Sequence, residues 1–190
     1  MTTAGSKWTC PFSASLLSNR IGATIRLVGP WQSDWQHCRS LKLSHSRSRR
    51  FRATTREEVI SELAKALGEG GFVEDTATVT ELALRREAIV STAVEHGLAF
   101  PHVRDVEGGG LTFAVGLKEK GIDFGATGDH LSKIFFFIVI PTPATAFYLR
   151  LLAGLVRTFE STEARKALLD SDKPDEMWKT LTKLTKDTVP

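Results

Sequence analysis

Residues 134–140 read Ile134-Phe135-Phe136-Phe137-Ile138-Val139-Ile140, and Pro141 closes the run. β-branched and aromatic side chains without a polar break mark a strand covered on both faces. A strand of that kind needs helices on two sides, which points to an α/β domain. Pro141 and Pro143 end the strand. The next stretch, 144–159, is helical: Phe147, Leu151, Leu155 and Phe159 form one stripe, with Tyr148, Leu152 and Val156 beside it. Ser161 is placed to cap a short helix through Leu169. Pro174 suits the first turn of a last helix, whose apolar stripe is Met177, Trp178, Leu181 and Leu184.

Working back from the central strand, 119–130 reads as loop and 111–117 as an alternating strand. Gly108-Gly109-Gly110 reads as a hairpin turn, because neither a Walker lysine nor a G-x-G-x-x-G spacing follows it. Leu98, Phe100 and Val103 alternate as in a short strand, with Pro101 suited to an edge or strand end. Two helices precede it. The first starts at a capping box, Thr55-x-x-Glu58, carries Val59, Ile60, Leu63, Ala64 and Leu67 at helical spacing, and stops at Gly68, Gly70 and Gly71. The second is capped by Asp75, puts Val79, Leu82, Ala83 and Arg86 on one face, and ends near Ala88. The expected fold is therefore a single α/β domain over 53–190, with a mixed β-sheet covered by helices.

With 190 residues, 42% hydrophobic and 25% charged, the chain has room for one domain plus an appendage. The net charge of +3 conceals an asymmetry. Residues 1–53 hold nine Lys/Arg and one acid, Asp34, a net of +8; residues 54–190 hold sixteen Lys/Arg and twenty-one acids, a net of −5. The front, 1–52, lacks periodicity and contains the run Ser44-His45-Ser46-Arg47-Ser48-Arg49-Arg50-Phe51-Arg52. Four readings stay open for it: an organellar leader, a basic segment for nucleic acid or anionic membrane, a misassigned start, and a poorly ordered extension. The last two are favoured, so no nucleic-acid partner is expected. No apolar run approaches the length of a membrane span, and no secretory signal is visible. Cys10 and Cys38 alone make neither a disulfide framework nor a four-ligand zinc site, which fits a reducing, cytoplasmic setting.

Among five histidines, His37 and His45 lie in the irregular front, His96 and His130 in bends or loops. No H-E-x-x-H or G-x-S-x-G pattern is present, so no zinc-protease or serine-hydrolase site is expected. His102 stands out. It follows Pro101 at the end of an apolar strand, where a rigid backbone aims the side chain. By position alone it reads either as a presented functional group or as a satisfied structural histidine.

The stretch from Arg86 to His102, Arg-Glu-Ala-Ile-Val-Ser-Thr-Ala-Val-Glu-His-Gly-Leu-Ala-Phe-Pro-His, resembles the active-site signature of phosphotransferase-system enzyme IIA, mannitol/fructose type, nitrogen-regulatory relatives included. Arg86, Glu87, Thr92, Gly97, Ala99, Pro101 and His102 fall in register. Gly121-Ile122-Asp123-Phe124-Gly125-Ala126 is similar to that family's loop before its central strand. The resemblance covers about residues 53–185 and implies a phosphocarrier. Its histidine, His102 here, would take a phosphoryl group from the carrier protein HPr and pass it to a IIB domain or keep it as a regulatory mark. It implies Arg86 as the residue that neutralises the phosphate, Thr92, Gly97 and Tyr148 as supporting residues, and neither cofactor nor metal.

The departures matter. Ala93 and Glu95 stand where such relatives carry glycines, and Tyr148 stands seven residues after Pro141, where many carry a second histidine. A phenol donates a hydrogen bond but brings no positive charge near pH 7. This favours a regulatory phosphocarrier. Sugar transport with a fructose- or mannitol-type permease is the alternative, and an unphosphorylated binding module of the same fold is a third reading.

Overall fold

The computed structural model describes residues 24–26, 42–44, 52–106, 110–126 and 130–189. Its elements in chain order are β1 (Thr24–Arg26), β2 (Lys42–Ser44), α1 (Arg56–Glu69), α2 (Thr76–Ile89), β3 (Ala93–Val94), β4 (Leu98–Ala99), β5 (His102–Val106), β6 (Thr112–Ile122), β7 (Ser132–Pro141), α3 (Thr145–Phe159), α4 (Thr162–Leu169) and α5 (Pro174–Thr185). One-turn 3-10 helices at Glu95–Gly97 and Thr142–Ala144 link β3 to β4 and β7 to α3.

The seven strands make one mixed sheet in the order β2-β1-β6-β7-β4-β3, with β5 also on β7. Strand β7 is the centre, as its unbroken apolar run predicts. It lies antiparallel to β6 and parallel to β4 and β5. Its side chains alternate between two cores. Ile134, Phe136, Ile138 and Ile140 join Phe147, Leu151, Leu155, Phe159, Leu168, Met177 and Leu181 of α3–α5. Phe135, Phe137 and Val139 join Val59, Ile60, Leu63, Leu67, Val79 and Ala83 of α1 and α2. Burying each large apolar side chain is worth about 1.5–3 kcal/mol, so the two-sided strand anchors both helical layers.

The helix ends follow the chemistry read from the sequence. In α1, Glu58 N–H donates to Thr55 Oγ1 at 3.2 Å, and Thr55 N–H donates to Glu58 Oε2 at 3.3 Å. Asp75 Oδ1 accepts Thr78 N–H at 3.0 Å, and Ser161 Oγ accepts Ala164 N–H at 3.2 Å. Pro174 opens α5.

Several expectations need correction. Strands β5 and β6 do not form a hairpin: β7 lies between them, because the backbone N–H and C=O groups of so buried a strand need partners along both edges. The turn glycines Gly108 and Gly109 lie outside the described residues. The single strand expected over Leu98–Val103 is two strands, interrupted at Phe100 and Pro101. Strand β6 runs on to Ile122, past the expected loop start, and Leu111–Val115 are buried without alternation because helices cover both faces. Leu82, expected on the buried face of α2, is 40% exposed. Of the front, Thr24–Arg26 pairs antiparallel with Thr112–Ala114 and Lys42–Ser44 pairs with β1; the rest of 1–51 lies outside the described residues.

Candidate functional site

The site grows from the interruption between β4 and β5. Proline has no N–H to give a ladder, so pairing skips from Ala99↔Phe135 to His102↔Ile138. The Pro101 carbonyl still accepts Ile138 N–H at 2.9 Å, which holds the break against β7. The Phe100 carbonyl is thereby left for a side chain. His102 Nδ1 lies 2.9 Å from it. A carbonyl only accepts, so Nδ1 carries the proton and Nε2 keeps its lone pair.

His102 is buried, in register with Ile138 on the α3 side of the sheet. Its ring lies 5.3 Å from the Tyr148 ring, tilted by 37°. Burial is the main reason its pKa falls below the usual histidine value. The nearby guanidiniums of Arg86 and Arg104 lower it further, while the Phe100 carbonyl and the Glu87 carboxylate act in the opposite direction. Burial raises the Tyr148 pKa above that of a free phenol, against the pull of Arg104 and Arg86. At neutral pH both rings are therefore uncharged, and the imidazole is the nucleophilic one.

Arg86 sits in the last turn of α2 and is half-buried, with Nη1 donating to the Val90 carbonyl at 2.8 Å. That bond satisfies a helix-end carbonyl, and the guanidinium charge still reaches the His102 ring. Its neighbour Glu87 is buried, and its carboxylate accepts Thr92 N–H at 2.8 Å and the Thr92 hydroxyl at 2.7 Å. Two hydrogen bonds are what let a carboxylate tolerate that burial. They lock the chain as it leaves α2 for the bend. Thr92 thus directs its hydroxyl proton at Glu87.

The bend carries two consecutive left-handed residues, His96 (φ 67°) and Gly97 (φ 75°). A Cβ at Gly97 would lie 3.2 Å from the Leu131 carbonyl, so a glycine belongs there on steric grounds. Ala93 and Glu95 have negative φ, and the bend does not require glycine at either place. The Gly121–Ala126 stretch comes to the same region: Ser91 Oγ donates to the Phe124 carbonyl at 2.5 Å and accepts Ala93 N–H at 3.1 Å.

Structure therefore brings together His102, Arg86 and Tyr148, and places Thr92 and Gly97 in the bend that leads to them. Glu87, which sequence reasoning matched without giving it a role, and Arg104, which it passed over, both carry charges that reach the His102 ring. The signal for Arg104 was available, since i and i+2 on a strand share a face. His96 and His130 line a separate groove of about 1050 Å³, with Lys133 and Arg165 among its walls and His102 not among them. Among the described residues, no cluster of three or more His, Cys, Asp or Glu side chains is arranged to hold a metal ion. No helix among them is long and apolar enough to cross a membrane.

Comparison with known proteins is consistent with this geometry. Residues 45–184 match the family model described as "Phosphoenolpyruvate-dependent sugar phosphotransferase system, EIIA 2". The chain is similar to the fructose-specific EIIA component of Haloferax volcanii, 29% identical over 118 residues, which are 62% of this chain and 77% of that protein. It is also similar to the fructose-specific EIIABC component of Bacillus subtilis, 26% identical over 135 residues, 71% of this chain but only 21% of that longer protein. Among solved structures it is similar in fold to the nitrogen regulatory protein IIA-Ntr of Neisseria meningitidis, with a TM-score of 0.64, 23% identity, and coverage of 70% of this chain and 90% of that one.

Proposed function

The chain belongs to the phosphoenolpyruvate-dependent sugar phosphotransferase system EIIA 2 family, and we propose that it is a cytoplasmic phosphocarrier that accepts a phosphoryl group on His102 Nε2 from an HPr-like donor. One observation carries the reading: the hydrogen bond from Nδ1–H to the Phe100 carbonyl at 2.9 Å, which leaves Nε2 as the free nucleophile.

The step balances without a cofactor. The Nε2 lone pair forms the new N–P bond while the P–N bond of the donor phosphohistidine breaks and its electron pair returns to the donor ring. Nδ1 keeps its proton throughout, and the Phe100 carbonyl stabilises the positive charge that the ring gains. Transfer of this kind depends on positioning and on charge stabilisation. Arg86 offers the phosphoryl oxygens a guanidinium fork. The Tyr148 hydroxyl donates a hydrogen bond to them. Thr92 and Gly97 act through the bend, which holds Arg86 and His102 in one arrangement.

For the destination of the phosphoryl group we favour a regulatory target. The neutral Tyr148 gives onward transfer no cationic help, which suits a retained mark more than rapid turnover. A second reading, delivery to a IIB domain of a sugar permease, is favoured by the fructose-specific names of two relatives, one of which carries EIIA, EIIB and EIIC parts in one chain.

The test is phosphoryl transfer from phosphoenolpyruvate through Enzyme I and an HPr of the same organism, read by intact mass. One phosphoryl adduct on the wild type and none on His102→Ala is expected. Unmodified wild type beside a working control acceptor would leave a binding module as the reading. Adding a fructose-type IIB then separates the destinations: fast discharge supports sugar transport, and a long-lived adduct supports regulation.

A further inference from the structure

We propose that Arg104 is a second phosphate-binding residue of the His102 site, aimed there by a bulge in β5. The inference rests on the phosphocarrier reading and deepens it. Between Val103↔Val139 and Val106↔Pro141, β5 advances three residues while β7 advances two. One extra residue is therefore accommodated at Arg104 and Asp105, and Asp105 takes it up with a left-handed backbone, φ 59°. A bulge bends its strand and re-aims a side chain. His102 and Arg104 start from the same face, two residues or about 6.6 Å apart along the strand.

The charge balance asks for such a group. A phosphoryl on Nε2 brings close to two negative charges into a buried position. Tyr148 is neutral, and Arg86 already commits one N–H to the Val90 carbonyl. Arg104 is exposed, its guanidinium has no hydrogen-bond or ion-pair partner among the described residues, and its five N–H donors suit an incoming anion. Arg86 and Arg104 are the two cations whose fields reach both the His102 and the Tyr148 ring, with Glu87 the opposing charge at His102. Arg86 approaches from α2 and Arg104 from β5, an arrangement in which two guanidiniums clamp one phosphoryl group from different elements.

The experiment charges wild type, Arg104→Gln, Arg104→Lys and Arg86→Gln by two routes: the HPr pathway, and phosphoramidate, a small donor that needs no docking. Phosphorus NMR then follows titration of the phosphohistidine. Arg104→Gln should raise the second phosphoryl pKa by about 0.5–1 unit and Arg104→Lys by less than half of that, since a lysine restores charge without the fork. Adduct formed at equilibrium through HPr should fall about 3- to 10-fold in Arg104→Gln. An Arg104→Gln adduct that titrates like wild type, while Arg86→Gln is shifted, would overturn the proposal. An adduct from phosphoramidate but none from HPr would break the donor assignment while leaving the Arg104 titration as its own test. No adduct on His102 by either route would overturn both.

Discussion

The two edges of β7 are built on opposite rules. Along β6 the register runs without interruption from Thr112↔Val139 to Leu117↔Ile134, the part that faces the site's strands across β7, and shifts only beyond it, before Ile122↔Ser132. Along the other edge, pairing covers Leu98 and Ala99, stops at Phe100 and Pro101, resumes for His102 and Val103, and slips before Val106. The regular edge spends its backbone groups on the sheet. The broken edge withholds a few of them, and those are what make a site. Skipped pairing frees the Phe100 carbonyl to orient His102, and the slipped register falls at Arg104 and Asp105. Chemistry here is a local departure from regularity, held in place by the regular strand beside it.

The largest test strikes what both edges share. Phe136 is fully buried and its ring packs with those of Phe100, Phe113 and Phe159. Phe136→Ala should cost about 3–5 kcal/mol in denaturant unfolding. A loss under 1 kcal/mol would mean that β7 is not the common anchor.

Smaller effects belong to the broken edge. Glu87→Ala leaves the Thr92 N–H and hydroxyl without their partner, and about 1–3 kcal/mol of stability should go with it. Its phosphoryl acceptance should fall as well, because the bend no longer fixes Arg86 relative to His102. Gly97→Ala puts a Cβ 3.2 Å from the Leu131 carbonyl at a left-handed position, for a cost of about 1–3 kcal/mol. A change of similar size in Ala93→Gly would show that the bend is strained elsewhere than at 96 and 97.

The subtlest test is pH. The folded His102 pKa lies below its unfolded value of 6.5, so the unfolded chain binds the proton more readily. Stability from this group is complete above pH 6.5 and is lost as pH falls toward the folded pKa. His102→Gln should flatten the stability-against-pH curve in that interval. Phosphoryl acceptance should hold over that range and decline only as pH falls through the folded pKa, since a protonated imidazole has no lone pair to offer. Equal slopes in wild type and mutant would show that burial does not perturb this ring.

Some of this was open to reading from residue order. The apolar run 134–140, the capping box at Thr55 and Glu58, and the caps at Asp75 and Ser161 declare their roles locally, because each depends on neighbours within a few positions. The motif from Arg86 to His102 was legible for the same reason. The role of Glu87 was not, since its partners are the N–H and hydroxyl of Thr92, and only the turn out of α2 brings them within reach.

What the sequence alone determined is the set of elements, the central place of β7 and the candidate pair His102 and Arg86: periodicity, end chemistry and a compact motif all act at short range. The tertiary structure decided which strands flank β7, which His102 nitrogen is free, and where the bulge in β5 falls. Each of those depends on how β4, β5 and β6 pair with β7, a strand distant in the chain from β4 and β5, and that meeting is set by how two hydrophobic cores close on one strand.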